Sequence, residues 1–267
     1  MNRRHFPNSQ YLFGLALKAG DIMTDKFQLG MAREFKEDDT PLTQADTAIN
    51  QLVIDSLRRD FPHICVIGEE GCGDIREAEY TIYCDPVDGT IPFSLGMPIS
   101  AFCISVVWNG CAISGLIHDP FQKRTWHAET GRGAFIRRSY GDTAVKVSQR
   151  SSLKSSNVCL LWWRNAPYNL HTFSQKLMDV GGKWMNPLSI AYFGGLVASG
   201  EFDATVFPGQ KPWETSAMQV IVEEAGGTAT DIHGFPLRYK GEDVVEGHII
   251  SNGLIHSDLV ELIADCQ

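Results

Sequence analysis

No C-x-x-C pair, no cysteine–histidine cluster at zinc spacing and no even set of cysteines occurs in this chain of 267 residues. Its seven cysteines therefore read as free thiols of a reducing, cytoplasmic setting and not as a disulfide framework. An apolar stretch fit to cross a bilayer is also missing. The most apolar window, 101–117, is broken at its centre by Trp108-Asn109-Gly110, the mark of a hairpin with a tight turn. Two arginines precede an apolar stretch at the N-terminus, but Lys18 and Asp21 interrupt it and no small-residue cleavage site follows. That segment reads as an amphipathic helix, not a secretion signal, and no membrane partner is expected. Basic charge is scarce: a formal net charge of −9 with no basic stripe argues against a nucleic-acid polymer as partner. A small phosphorylated metabolite needs only a locally positive pocket, which a bound metal can supply. Neither an internal repeat nor a low-complexity tract is present.

What is there, 43% hydrophobic and 21% charged, suffices for a substantial core. Residues 9–28 set Leu12, Leu15, Ala16, Ala19, Ile22 and Met23 on one helical face, and 43–61 do the same with Ala45, Ala48, Ile49, Leu52, Val53 and Leu57 before Pro62 stops the helix. Short strands are expected at 64–67 and 80–84, and hairpins over 102–117 and 125–136. A strand at 158–162, helices near 168–180, 189–199 and 213–225, and a strand at 204–207 follow, with Gly226-Gly227 ending the last helix. The serine-rich stretch 148–157 divides the chain into halves 1–147 and 148–267; an exposed loop within one domain explains it equally well.

The chemistry is concentrated where apolar strands end on acids. The run Y-T-I-Y-C-D-P-V-D-G-T (80–90) delivers Asp85 and Asp88 from a tight turn, and G-E-E-G (68–71) delivers Glu69 and Glu70 from a neighbouring strand. Clustered carboxylates repel, so they are neutralised by lysine, arginine or a hard divalent cation. Arg76 is the one basic residue between Glu69 and Asp88, which favours the cation; a solvated acidic turn with Asp85 capping the next helix is the plainer alternative. Oxygen-only ligation points to Mg²⁺ or Mn²⁺. At Gly89-Thr90 the backbone can approach closely and offer N–H groups to an anion beside the metal, and metal plus amides suggests phosphate.

D-P-V-D-G-T (85–90), G-E-E (68–70), L-T-Q-A-D (42–46) and W-E-T-S-A-M-Q-V-I-V-E-E-A-G-G (213–227), in this order, resemble the inositol monophosphatase family of Mg²⁺-dependent, lithium-sensitive phosphatases. The resemblance implies an α+β fold, a layered α/β/α/β/α sandwich of the inositol monophosphatase and fructose-1,6-bisphosphatase type, and a homodimer. Most metal ligands then fall in 1–147, and Glu214 with the leaving-group pocket in 148–267. By the same resemblance Glu69, Asp85, the Val87 carbonyl, Asp88 and Glu214 hold two or three Mg²⁺ ions, for which Mn²⁺ can substitute. Glu69, Asp46 and Thr90 become the catalytic group, with Thr90, paired with Asp46, polarising the attacking water. Gly89, Thr90, Ser189, Phe207 and Lys211 become the phosphate and substrate contacts. The implied reaction is hydrolysis of a small phosphorylated metabolite, with histidinol phosphate, a sugar bisphosphate and 3′-phosphoadenosine 5′-phosphate as alternatives to an inositol phosphate. A catalytically weakened phosphate-binding protein is the competing class.

Three departures from the family pattern stand out. Glu214 replaces an aspartate; Leu188-Ser189-Ile190 replaces a Gly-Ser/Thr-Ala stretch; and Phe207 stands where the inositol-cleaving enzymes carry a hydroxyl-accepting glutamate. The last two make the pocket more apolar and a poor discriminator of polyols. Trp162-Trp163-Arg164 reads as core or subunit contact, Cys84 as a small hydrophobe, and His118, His127 and His233 as non-catalytic.

Overall fold

The computed structural model describes residues 6–31, 33–36, 41–73, 78–161, 166–209, 211–241 and 247–266. In chain order its elements are α1 (Ser9–Lys26), β1 (Glu34–Phe35), β2 (Pro41–Leu42), α2 (Gln44–Asp60), β3 (Cys65–Gly68), β4 (Gly71–Cys72), β5 (Tyr80–Asp88) and α3 (Thr90–Ser94). A run of antiparallel strands follows: β6 (Ala101–Trp108), β7 (Cys111–Asp119), β8 (Arg124–Glu129), β9 (Ala134–Arg138) and β10 (Gly141–Ala144). The second half holds β11 (Asn157–Leu160), α4 (Leu170–Asp179), β12 (Lys183–Met185), α5 (Ile190–Ala198), β13 (Ala204–Phe207), α6 (Pro212–Glu224), β14 (Thr228–Thr230), β15 (His248–Ser251) and α7 (His256–Ala264).

Eight strands form one sheet in the order β10-β9-β8-β7-β6-β5-β3-β4, antiparallel except where β3 runs parallel to β5. The side-chain alternation of β6 divides its core in two. Phe102, Ile104 and Val106 pack under α1 and α2, while Ala101, Cys103 and Val107 face the cluster built by α5 and α6. The five-stranded sheet, ordered β12-β11-β13-β15-β14, closes the far side of α5 and α6, and α4 and α7 cover its outer face. This is the expected α/β/α/β/α sandwich.

Most of the sequence reading holds at the level of elements, with two informative differences. On α2, Ala48 is exposed, and the buried face instead includes three polar residues, Asp46, Asn50 and Ser56. Periodicity among apolar residues cannot anticipate a face that turns polar because it meets a site. Strand β5 runs on to Asp88 rather than ending at Cys84, pairing Asp85 with Cys103 and Asp88 with Ala101 across a register shift. Pro86 lies within that irregularity, where a missing N–H costs the ladder least.

Candidate functional site

Parallel pairing of β3 and β5 sets Glu69 beside Asp85: the Glu69 N–H donates to the Cys84 carbonyl at 3.1 Å. Asp85 is buried and its Oδ1 accepts the Val87 N–H at 3.0 Å, an Asx turn that fixes the bulge. From the other side α2 contributes Asp46, its third residue, which accepts the Thr43 N–H at 2.8 Å in a capping box. Thr90 Oγ1 lies 3.2 Å from Asp46 Oδ1 and 3.0 Å from the Val87 carbonyl, so the Asp46–Thr90 pair drawn from the sequence is in contact. Asp88 is turned to the start of α5. Its Oδ2 accepts from Ser189 Oγ at 2.6 Å and from the Tyr192 N–H at 3.1 Å, and its Oδ1 accepts from the Ile190 N–H at 2.9 Å. A carboxylate there satisfies donors that Ser189, whose own side chain does not cap the helix, leaves open.

Glu214 is the third residue of α6, behind an N-cap, Lys211, that offers no side-chain acceptor. The Lys211 N–H stabilises the Glu214 carboxylate, and the charges of Glu69 and Asp88 reach it. Its extra methylene suits this reach back to the cap, as glutamate does in a capping box.

Sequence reasoning missed Lys36. Its ammonium donates to Glu69 Oε1 at 2.8 Å and to Glu70 Oε1, from a position 33 residues upstream. The local signal was faint: one lysine ahead of a short acidic run. Burial pulls the Lys36 pKa down, but Glu69 and Glu70 outweigh it and leave the ammonium firmly charged. Among the described residues this one cation does not balance the site. Burial first, then the charges of Glu69, Asp88, Glu214 and Asp46, push Asp85 well above the usual carboxylate range. Burial likewise raises Glu214, Asp88 and Asp46, the last to about 6, and raises Glu70 to about 7.

As the side chains stand, no three acidic, histidine or cysteine groups among the described residues enclose a single ion position. The contacts give the reason: Asp88 is committed to α5, Asp46 to Thr43 and Thr90, Glu69 to Lys36, and Glu214 to the Lys211 amide. The donor chemistry nevertheless fits hard divalent cations, being oxygen-only, anionic, buried and short of positive charge.

These shifts predict a pH dependence. Carboxyls raised in the fold bind more protons folded than unfolded, so their contribution to stability is lost as pH rises through their folded pKa. His118, His248 and His256, lowered by burial to about 4, 3 and 4, act in the opposite sense, but only below the ordinary histidine pKa of about 6.5. Above that pH the carboxylates decide. Thermal unfolding in chelator is expected to show a midpoint that falls between pH 6.5 and 8, and a divalent cation held by these carboxylates would raise the midpoint more at pH 8 than at 6.5, because carboxylates bind metal deprotonated.

Around this cluster the substrate candidates are unevenly placed. Gly89, at φ +83°, approaches Ser189 so closely that a Cβ would sit 2.7 Å from the serine Cβ; any other residue would push β5 away from α5. Lys211 is partly exposed, with Nζ 5.6 Å from the Trp213 ring centroid. Phe207 is buried at the end of β13 and brings no acceptor for a hydroxyl. Leu188 holds φ +60°, the left-handed conformation natural to glycine, so the turn ahead of α5 carries a bulky side chain in a backbone setting that disfavours one. Cys84 is a buried free thiol, and His118 and His127 are engaged with Thr125 and Asp142. Arg76 and Trp162-Trp163-Arg164 lie outside the described residues.

Residues 8–267 match the model of the inositol monophosphatase family. Among curated proteins the chain is 31% identical to a histidinol-phosphatase of Chlorobaculum parvum over 246 residues, 91% of this chain and 92% of that one. It is 29% identical to the fructose-1,6-bisphosphatase/inositol-1-monophosphatase of Thermotoga maritima over 226 residues, 83% and 82% of the two chains. Among solved structures it superposes on an inositol monophosphatase of Thermotoga maritima with a TM-score of 0.85 at 26% identity, covering 96% of each chain. The chain belongs to the inositol monophosphatase family, whose members are metal-dependent, and is a phosphoric monoester hydrolase acting on small phosphorylated substrates.

Proposed function

We propose that this protein is a Mg²⁺-dependent phosphomonoesterase in which Glu69, Asp85, the Val87 carbonyl, Asp88 and Glu214 hold two or three Mg²⁺ ions, replaceable by Mn²⁺. The observation that carries this reading is the convergence of buried carboxylates on too little positive charge among the described residues, beside an Asp46–Thr90 hydrogen bond. Such cations supply Lewis acidity that makes water a nucleophile near neutral pH and offsets charge on the leaving oxygen. Thr90 directs the water: while its hydroxyl donates to Asp46, its lone pair can accept a hydrogen bond from the nucleophile, and as the water gives its proton to Thr90 the threonine proton passes to Asp46. Asp46 can take that proton only while ionised. The Gly89 and Thr90 amides hold phosphate oxygens, Lys211 adds a positive charge at the rim, and Ser189 keeps Asp88 in place.

For the leaving group, the apolar Phe207 and Leu188 speak against a polyol matched by hydroxyl acceptors. We infer a small alcohol phosphate with a less hydroxylated body, for which histidinol phosphate is the named alternative nearest in kind, ahead of a sugar bisphosphate or 3′-phosphoadenosine 5′-phosphate. The division at 147/148 belongs to the same proposal, with the Glu214 half closing a site built mainly by the first half. So does a cytoplasmic homodimer, supported by the exposed apolar side chains of Met178, Val180, Trp184 and Met185 on and beside α4 and β12. No helix among the described residues is long and apolar enough to cross a membrane. Phosphate release from a panel of sugar, polyol, amino-alcohol and nucleotide phosphates in Mg²⁺ tests the substrate class. Preference for polyol monophosphates would overturn the pocket argument.

Thr90→Ala is expected to lower kcat by roughly 10²- to 10⁴-fold while shifting the Mg²⁺ concentration for half-maximal rate by less than about threefold, since the hydroxyl orients water and is no strong ligand. An unchanged kcat with weakened Mg²⁺ dependence would instead place Thr90 among the ligands.

A further inference from the structure

Asn50 lies one helical turn after Asp46 on the same face of α2 and is 6% exposed. Its Nδ2 donates to the Gly71 carbonyl at 3.3 Å, while its buried Oδ1 has no hydrogen-bond partner. That oxygen is pressed against the backbone of Gly68, where a Cβ would lie 2.1 Å from it. Gly68 and Gly71 are paired residues at the base of the β3–β4 hairpin, and Glu69 and Glu70 form its tip. Asn50 therefore grips both feet of the turn that carries Glu69. An unsatisfied buried amide oxygen costs stability that packing alone does not require, because an apolar residue would fill the space without that cost.

We propose that Asn50 is a positioning residue that sets where Glu69 and Glu70 stand relative to Asp46, so that α2 delivers one catalytic carboxylate directly and places two others through the Gly71 carbonyl. Rigid support of this kind matters because a ligand carboxylate displaced by a fraction of an ångström loses much of its hold on a cation of demanding geometry. The inference rests on reading Glu69 as a metal ligand.

The test is Mn²⁺ binding to the full chain, followed by electron paramagnetic resonance, in Asn50→Leu, Asn50→Ala and Glu69→Gln. Asn50→Leu keeps the branched shape against Gly68 at a larger volume and removes the polar groups of the amide; Asn50→Ala removes both the bond and the contact and serves if leucine does not fit. Each is expected to weaken Mn²⁺ binding by about tenfold, in the range of losses seen when a supporting partner of a ligand is removed. A residue with a merely structural role would lower the unfolding midpoint and leave Mn²⁺ binding within twofold of wild type, and that result would overturn the proposal. Glu69→Gln separates the two readings. If it abolishes tight binding while the Asn50 variants bind normally, the Asn50 inference alone fails; if it binds Mn²⁺ as wild type does, Glu69 is no ligand and both fall.

Discussion

Asp88→Asn is expected to lower phosphate release by about 10³-fold or more at saturating Mg²⁺, because it removes a buried charge from the proposed ligand set. The structure makes this an informative substitution. Asp88 is hydrogen-bonded to Ser189 Oγ and to the first amides of α5, and asparagine retains one acceptor oxygen of the same reach. What is lost from the fold is a charge at a helix N-terminus and one acceptor, since the amide nitrogen that replaces an oxygen leaves one α5 N–H unpaired; together these cost on the order of 2 to 4 kcal/mol. The unfolding midpoint should therefore fall by roughly 5 to 15 °C for a chain of this size. Phosphate-release kinetics and thermal unfolding of the variant check both parts; retention of a tenth of wild-type activity would remove Asp88 from the chemistry.

At Glu214 two substitutions pull apart the capping and ligand roles. Glu214→Gln keeps length and can still accept the Lys211 N–H, so α6 should start where it does now, yet turnover is expected to fall by roughly 10²- to 10³-fold for want of the charge. Glu214→Asp matches the family's usual residue but withdraws the carboxylate by one methylene on a backbone built for glutamate. We expect a well-folded protein needing about tenfold more Mg²⁺ for half-maximal rate, with Mn²⁺, which is less exacting in geometry, affected less. Mg²⁺ and Mn²⁺ titrations of phosphate release on both variants decide the matter: wild-type behaviour of Glu214→Gln would mean that the residue is a helix cap only.

Much of this site is written in short stretches of chain, and the reason is physical. Asp85, Asp88, Gly89 and Thr90 are set by one strand, its bulge and the turn that follows, so their mutual placement follows from local backbone geometry. The two long helices and the hairpins are legible for the same reason, through apolar spacing and the Asn109-Gly110 and Gly131-Arg132-Gly133 turns. What stayed illegible depends on contacts between distant segments. Lys36 reaches Glu69 and Glu70 from the residue after β1, where the sequence carries no motif. The docking of Asp88 onto α5 joins residues about a hundred positions apart, and only the fold brings them together. On α2 the apolar spacing counts Ala48 in the buried stripe and gives Asn50 no part in it; Ala48 is exposed and Asn50 buried because this helix face serves a site and a core at once.

The central claim is that these carboxylates act through bound divalent cations to hydrolyse a phosphomonoester. The most direct measurement is inorganic phosphate release by the wild-type protein from a generic phosphomonoester in Mg²⁺, then in excess chelator, then with Mg²⁺ restored. Release that falls by about 10³-fold or more in chelator and returns with the metal is the result this account predicts; release that continues undiminished in chelator would contradict it.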